Sequence, residues 1–275
     1  MSILFGTALF VAEEIMPRID NPKTMLSLGR LDLRFDLASH MDILQRKTTF
    51  TAARDLAPQL DSDTRKTSEH LFRLFGVPQY EDIDVDSSQD CTVTHDLNVP
   101  VSVDLHSRYD FIFEHGTLEH VFDTRTALSS IVHMAKLDGW VCHVTPLSFV
   151  NHGFYNFSLN LFDDFYRLNG FDEFKYWILA YRRSYLTDQE LVVAEMPYCS
   201  NWIYLDQSVT ADMRDQLCLA VLAKKCEQVP EIRVPVQSIF DPTRRSPWRP
   251  LLAKLHSAPG GTCSISLEPA SNERA

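Results

Sequence analysis

Residues 109–123 read YDFIFEHGTLEHVFD, and residues 138–146 read DGWVCHVTP. Phe111, Ile112 and Phe113 make an unbroken apolar run. Such a run suits a strand buried on both faces, as in a parallel sheet. After it, Asp123 or Thr124 caps a helix whose apolar face is Ala127, Leu128, Ile131, Val132 and Ala135. Lys136 falls in its last turn, Gly139 follows, and a second strand over 140–146 begins at once. Strand, helix, strand at this spacing is a right-handed βαβ unit, the building block of an open α/β sheet.

Upstream, TMLSLG (24–29) reads as a short buried strand halted by Gly29. EDIDVD (81–86) and CTVTHDLN (91–98) read as strands that end in acid, and Pro100 closes the second. Downstream, 161–168 is helical with Gly170 as its stop, while FKYWILAY (174–181) and QLCLAVLAKK (216–225) are strand-like. The expected sheet has 24–28, 81–85, 91–95, 109–113 and 140–145 in parallel, with 216–224 antiparallel at one side. Near the N-terminus, Leu4, Phe5, Ala8, Val11 and Ile15 fall at helical spacing, and Pro17 and Pro22 end that helix. The run lacks a positive n-region and is not read as a signal peptide. A further helix is expected over Asp61–Phe75, capped by Asp61 or Ser62 and stopped by Gly76.

This gives one domain over 1–241, with an aromatic insertion around 183–213 carrying Tyr185, Tyr198, Trp202 and Tyr204. That insertion suits a lid or a homodimer surface. Residues 242–275 form an extension carrying Arg244, Arg245 and Arg249, with disorder expected from about 256.

With 26 Lys+Arg against 37 Asp+Glu, the formal net charge is −11, which disfavours nucleic acid as a partner. No run approaches the roughly 20 apolar residues of a membrane span. The cysteines at 91, 142, 199, 218, 226 and 263 form no C-x-x-C pair and read as reduced thiols, as in the cytoplasm. No G-x-S-x-G elbow, phosphate-binding Walker loop or G-x-G-x-x-G fingerprint is present.

In open α/β sheets, ligands bind beyond the carboxyl ends of the strands. Gly29 at the first strand end admits close approach of a ligand. Asp84 or Asp86 at the second can accept from ribose hydroxyls. Asp96 at the third can accept from an exocyclic amine, with the Leu97 amide beside it. Glu114 ends the fourth. Together these suit an adenosine, although a strand-end aspartate is also an ordinary turn former.

The run 109–123 with its capped helix and the strand 140–146 resembles the fourth to fifth strands of class I S-adenosylmethionine-dependent methyltransferases. HDLN (95–98), NHGFYNFS (151–158), LAKK (222–225) and VPVQ (234–237) resemble one branch of them. The resemblance covers roughly 23–240. It implies a Rossmann-like class I methyltransferase fold, mostly parallel with one antiparallel strand and helices on both faces. It also implies S-adenosylmethionine as cofactor, held by Gly29, Arg30, Asp84, Asp96, Leu97 and Glu114, and methyl transfer to a small-molecule or glycan acceptor.

One departure stands out. SLGRLDLRF (27–35) has a single glycine, Ser27 in place of an acid, and Arg30 and Leu31 at loop positions usually kept small. The departure implies that part of the cofactor cradle is missing, that Arg30 meets the methionine carboxylate, or that the chain is a non-catalytic methyltransferase-like binding or scaffold protein. For proton removal the candidates are His120 and His152, with Tyr155 as an orienter. Phe154, Tyr155 and Phe157 are candidates for an apolar wall. His115, Glu119, His120, His143 and His152 match no H-E-x-x-H spacing, so no metal is assigned.

Overall fold

The computed structural model describes residues 2–47, 67–181, 191–198, 203–205, 216–241, 243, 251–257 and 263–269. In chain order the elements begin with β1 (Ser2–Ile3), α1 (Phe5–Phe10), β2 (Thr24–Leu28), β3 (Asp32–Leu33), α2 (Leu37–Lys47), α3 (Ser68–Leu74), β4 (Gln79–Asp84) and β5 (Val93–Thr94). Then come β6 (Tyr109–His115), α4 (Thr124–Met134), β7 (Ala135–Pro146), α5 (Leu159–Leu168), β8 (Phe171–Tyr181) and β9 (Leu191–Glu195). The last are β10 (Ile203–Leu205), β11 (Gln216–Lys225), β12 (Leu251–Ser257) and β13 (Cys263–Pro269). No described helix is long and apolar enough to cross a membrane.

Among the described residues, eleven strands form one sheet in the order β10-β12-β13-β9-β8-β11-β7-β6-β2-β4-β5. The five expected strands are parallel: β2 pairs with β4 and β6, β4 with β5, and β6 with β7. β11 lies antiparallel between β7 and β8, as the sequence suggested. Phe111 and Phe113 are fully buried.

Alternation along the strands divides the core into two layers. Met25, Phe111, Phe113 and Cys142 face one way, onto Phe72 and Phe75 at the end of α3 and the N-terminal segment. Leu26, Leu28, Ile112 and Val141 face the other way, onto α4 and α5. Helices therefore cover both faces, and the architecture is Rossmann-like α/β. The N-terminal helix is present as α1, and its turn widens over Val11–Ile15 before Pro17. Leu4, Ala8, Val11 and Ile15 are buried, as their spacing required.

Several expectations are corrected. α4 ends at Met134, so Lys136 and Gly139 lie in β7 rather than in and after a last helical turn. Lys136 instead reaches Asp110 at 2.9 Å. β4 stops at Asp84, and Asp86 accepts the Ser88 amide to start a short turn. The expected caps Asp61 and Ser62 lie outside the described residues, as do Tyr185, Trp202, Arg244, Arg245 and Arg249.

The largest correction concerns the tail. Cys263–Pro269 is not disordered: it pairs antiparallel with β12 and parallel with β9. The reason is a two-residue apolar alternation, Cys263, Ile265 and Leu267, with Ile265 buried against Ala253 and Ala194 in a third cluster. Part of the aromatic insertion joins the same edge as β9 and β10, so the sheet holds more antiparallel pairs than one. Tyr198 packs inward, its ring 5.6 Å from that of Tyr176.

Candidate functional site

The strand order reverses at β2, whose neighbours are β4 on one side and β6 on the other. At such a point the connecting loops part and leave a crevice beyond the carboxyl ends. A cleft of about 310 Å³ lies there, lined by Gly29, Arg30, Asp84, Asp96, Leu97, Thr117 and His120, among others. Five of the six residues expected to hold a cofactor thus meet in one cleft.

Gly29 has φ +81°, and a Cβ at this position would stand 2.6 Å from Thr117 Oγ1. Thr117 Oγ1 donates to Leu28 O at 2.6 Å, so the loops after β2 and β6 are tied together at the cleft floor. Ser27 Oγ donates to Gly29 O at 2.9 Å and fills the place of the missing acid with a neutral turn brace.

Asp84 accepts the Arg30 amide on Oδ2 and the Asp86 amide on Oδ1, both at 3.0 Å. Each carboxylate oxygen keeps a second acceptor site. Asp96 accepts the Asn98 amide and side chain on Oδ1, and the Asn98 amide foremost holds its carboxyl below the usual range. No hydrogen bond from a described residue reaches its Oδ2. Leu97 beside it is buried.

Two expected cofactor residues are placed differently. The Arg30 guanidinium turns onto β4, with Nη1 3.3 Å from Asp82 Oδ2 and donating to Asp90 O at 2.7 Å. It is held by a buried acid rather than left free for a ligand carboxylate. Glu114 does not line the cleft: its side chain is fully buried because β6 is covered on both faces. Its Oε1 accepts the Thr117 and Leu118 amides at 2.7 and 3.2 Å. Its Oε2 lies 3.1 Å from His143 Nδ1, and His143 Nε2 lies 2.7 Å from the Tyr166 hydroxyl. With Nδ1–H donating to the carboxylate, Nε2 accepts the tyrosine proton. This buried chain fixes the turn that carries Thr117 and His120.

The two motifs LEH and NHGFY pack on each other. Gly153 has φ +74°, and a Cβ there would meet Glu119 O at 2.6 Å. Phe154 N donates to the same carbonyl at 2.6 Å. The docking brings the His120 and His152 rings to 5.1 Å between centroids. Partial burial, then the neighbouring His152, hold the His120 pKa below its usual value. Glu119 beneath them is 1% exposed, and burial, reinforced by the charge of Glu114, pushes its carboxyl up to about 8. Burial pulls His115 down to about 4.

Tyr155 is not with these histidines. Its hydroxyl donates to Phe122 O at 2.9 Å, and its ring lines a second cavity of about 580 Å³ with Phe122, Phe157, Leu161, Phe165 and Val234. The apolar wall expected from Phe154, Tyr155 and Phe157 is split: Tyr155 and Phe157 line that cavity, while Phe154 is 63% exposed. Thr117 was not singled out from sequence, and Glu119 was weighed only within a set of five residues that matched no metal motif. The L-E-H match at Glu119 was the available signal; Thr117 had none beyond its place after a strand-end glycine.

No protein-family model matches the chain, and no curated protein matches it. Among solved structures, it is similar to an S-adenosylmethionine-dependent methyltransferase from Thermotoga maritima, at 13% identity and TM-score 0.39 over 81% of this chain and 89% of that one. It is similar to another from Archaeoglobus fulgidus, at 11% identity and TM-score 0.43 over 80% and 94%. A third is phosphoethanolamine N-methyltransferase 2 from Haemonchus contortus, in complex with phosphomonomethylethanolamine and S-adenosylhomocysteine. There the identity is 11% and the TM-score 0.40 over 79% of this chain and 52% of that one. These are distant likenesses of architecture, and no residue role is taken from them.

Proposed function

We propose that this chain is an S-adenosylmethionine-dependent methyltransferase acting on a small-molecule or glycan acceptor. The observation that carries the reading is convergence: Gly29, Asp84, and Asp96 with Leu97, read from three separate stretches of sequence, line one cleft at the strand-order reversal. The residues fit the cofactor. The positive φ of Gly29 opens the floor, Asp84 offers acceptors for ribose hydroxyls, and Asp96 Oδ2 together with the Leu97 backbone suits an adenine edge.

When bound, the cofactor supplies an electrophilic methyl group on a sulfonium. The protein's share is to hold the acceptor in line and to remove its proton. His120 borders the cleft and offers an imidazole for that proton, with His152 beside it. Glu114 is a positioning residue that holds the turn bearing His120.

A hydrogen bond to a carboxylate is worth about 1.5–3 kcal/mol, so Asp84→Ala weakens S-adenosylhomocysteine binding by about tenfold to a hundredfold. Isothermal titration of both proteins checks this, with circular dichroism to confirm folding. Equal affinity removes Asp84 from the site. The second reading, a non-catalytic binding protein, is favoured by the Arg30 guanidinium that closes on Asp82 over a first motif with one glycine. Absence of binding in both titrations selects it.

A further inference from the structure

The geometry points to a divalent metal centre built from Glu119, His120 and His152 at the edge of the cleft. The ligand class is a first-row transition ion that accepts imidazole and carboxylate together, Zn²⁺ first among them.

Three observations carry this. One ligand atom from each residue comes within 4.8 Å of the other two. Glu119 Oε1 lies 3.5 Å from His152 Nε2 and 4.0 Å from His120 Nε2. Two ligands about 2.0–2.1 Å from a tetrahedral zinc stand about 3.4 Å apart, so the Glu119–His152 pair is already near that spacing and the His120 imidazole must turn inward to join it. Next, Glu119 Oε2 is buried and has no hydrogen-bond partner among the described residues. A polar oxygen taken out of water without a partner is costly, and a bound cation supplies one. Last, Gly153 and the Phe154 amide clamp the His152 loop onto the Glu119 carbonyl, so the third ligand is held by backbone.

Sequence spacing hides this set. Glu119 and His120 are neighbours on one turn, and His152 comes from the loop after β7, so no short motif contains all three. Both histidines are exposed, which leaves an entry path and open coordination positions toward the cleft that His120 lines. An occupied centre makes an acceptor hydroxyl more acidic by Lewis acidity, the task otherwise left to a free imidazole. Metal binding itself does not depend on the methyl-transfer reading.

The test uses the full chain stripped with chelator. Zn²⁺ is titrated by calorimetry, and Co²⁺ is followed by its visible ligand-field bands. Wild type binds one equivalent, and its melting temperature rises with the metal. Glu119→Gln and His152→Asn each weaken binding by at least tenfold, and both lose the metal-dependent rise. His152 is exposed, so its replacement leaves the fold intact, as circular dichroism verifies. No binding by wild type, or equal binding by both variants, overturns the proposal. S-adenosylhomocysteine titration on the same metal-free samples tests the cofactor cleft separately, so one reading can fail without the other.

Discussion

On one side of β11, strands β7, β6, β2, β4 and β5 run parallel, and helices cover both faces of the sheet. On the other side, β8, β9, β13, β12 and β10 mix parallel and antiparallel pairs around a small cluster centred on Ile178, Ala194, Ala253 and Ile265. The first side is assembled largely from strands joined by helical crossovers. The second is assembled from an insertion and a tail that meet far along the chain. All the cleft residues lie on the first side, where a two-sided core fixes the strand ends. The second side supplies an edge and carries none of the residues that line the cleft.

The contrast can be broken at three points. Phe113 sits fully buried between Phe72 and Phe111. Phe113→Ala is expected to cost about 3–5 kcal/mol in denaturant unfolding. A loss below about 1 kcal/mol would mean that the central layer collapses around the gap and is less tightly specified than its burial suggests. Ile265 is 4% exposed at the far edge. Ile265→Ala should cost about 2 kcal/mol, the low end for such truncations, because its cluster is small. If this variant unfolds as wild type does, β13 contributes nothing to stability and the two sides differ more than their packing implies.

The smallest effect tests the seam. Lys225, on β11, is 1% exposed and donates from Nζ to Val132 O and Ala135 O at the end of α4. Burial pulls its pKa down from 10.5 to about 8. The folded protein therefore releases this proton earlier than the unfolded chain does. Its contribution to stability is least below pH 8 and grows as pH rises from about 8 toward 10.5. Compared with Lys225→Met, wild type should gain on the order of 1–2 kcal/mol across that window. Parallel stability curves for the two proteins would show that the ammonium is better solvated than its burial indicates.

The central half was readable because its signals are local. The run at 111–113, the Asp123 cap, whose carboxylate accepts the Thr126 amide at 3.0 Å, and the strand-end acids each announce themselves within a few residues. The boundary between α4 and β7 was misplaced because Asp138 takes φ +64° inside the strand, and neither Lys136 nor Gly139 reveals that bend. Arg30 was aimed at a ligand because its partner Asp82 is buried on a neighbouring strand, 52 positions away. The order of the tail was hard to read because its apolar alternation, Cys263, Ile265 and Leu267, is only three residues long and its partner strands lie outside it. Glu119 and His152 meet only because Gly153 lets one loop rest on another, a contact that no spacing rule encodes.

The parallel pairing of β9 with β13 joins residues about 70 positions apart. At ribosomal rates of about 5–20 residues per second, β9 emerges roughly 4–14 s before its outer neighbour exists. During that interval the Ala194–Glu195 end of β9, which β13 later pairs, presents open amides and carbonyls, the kind of edge that recruits strands from other chains. Synthesis is thus a stage at which this edge is open to other chains, and slower translation through 196–262 lengthens the exposure.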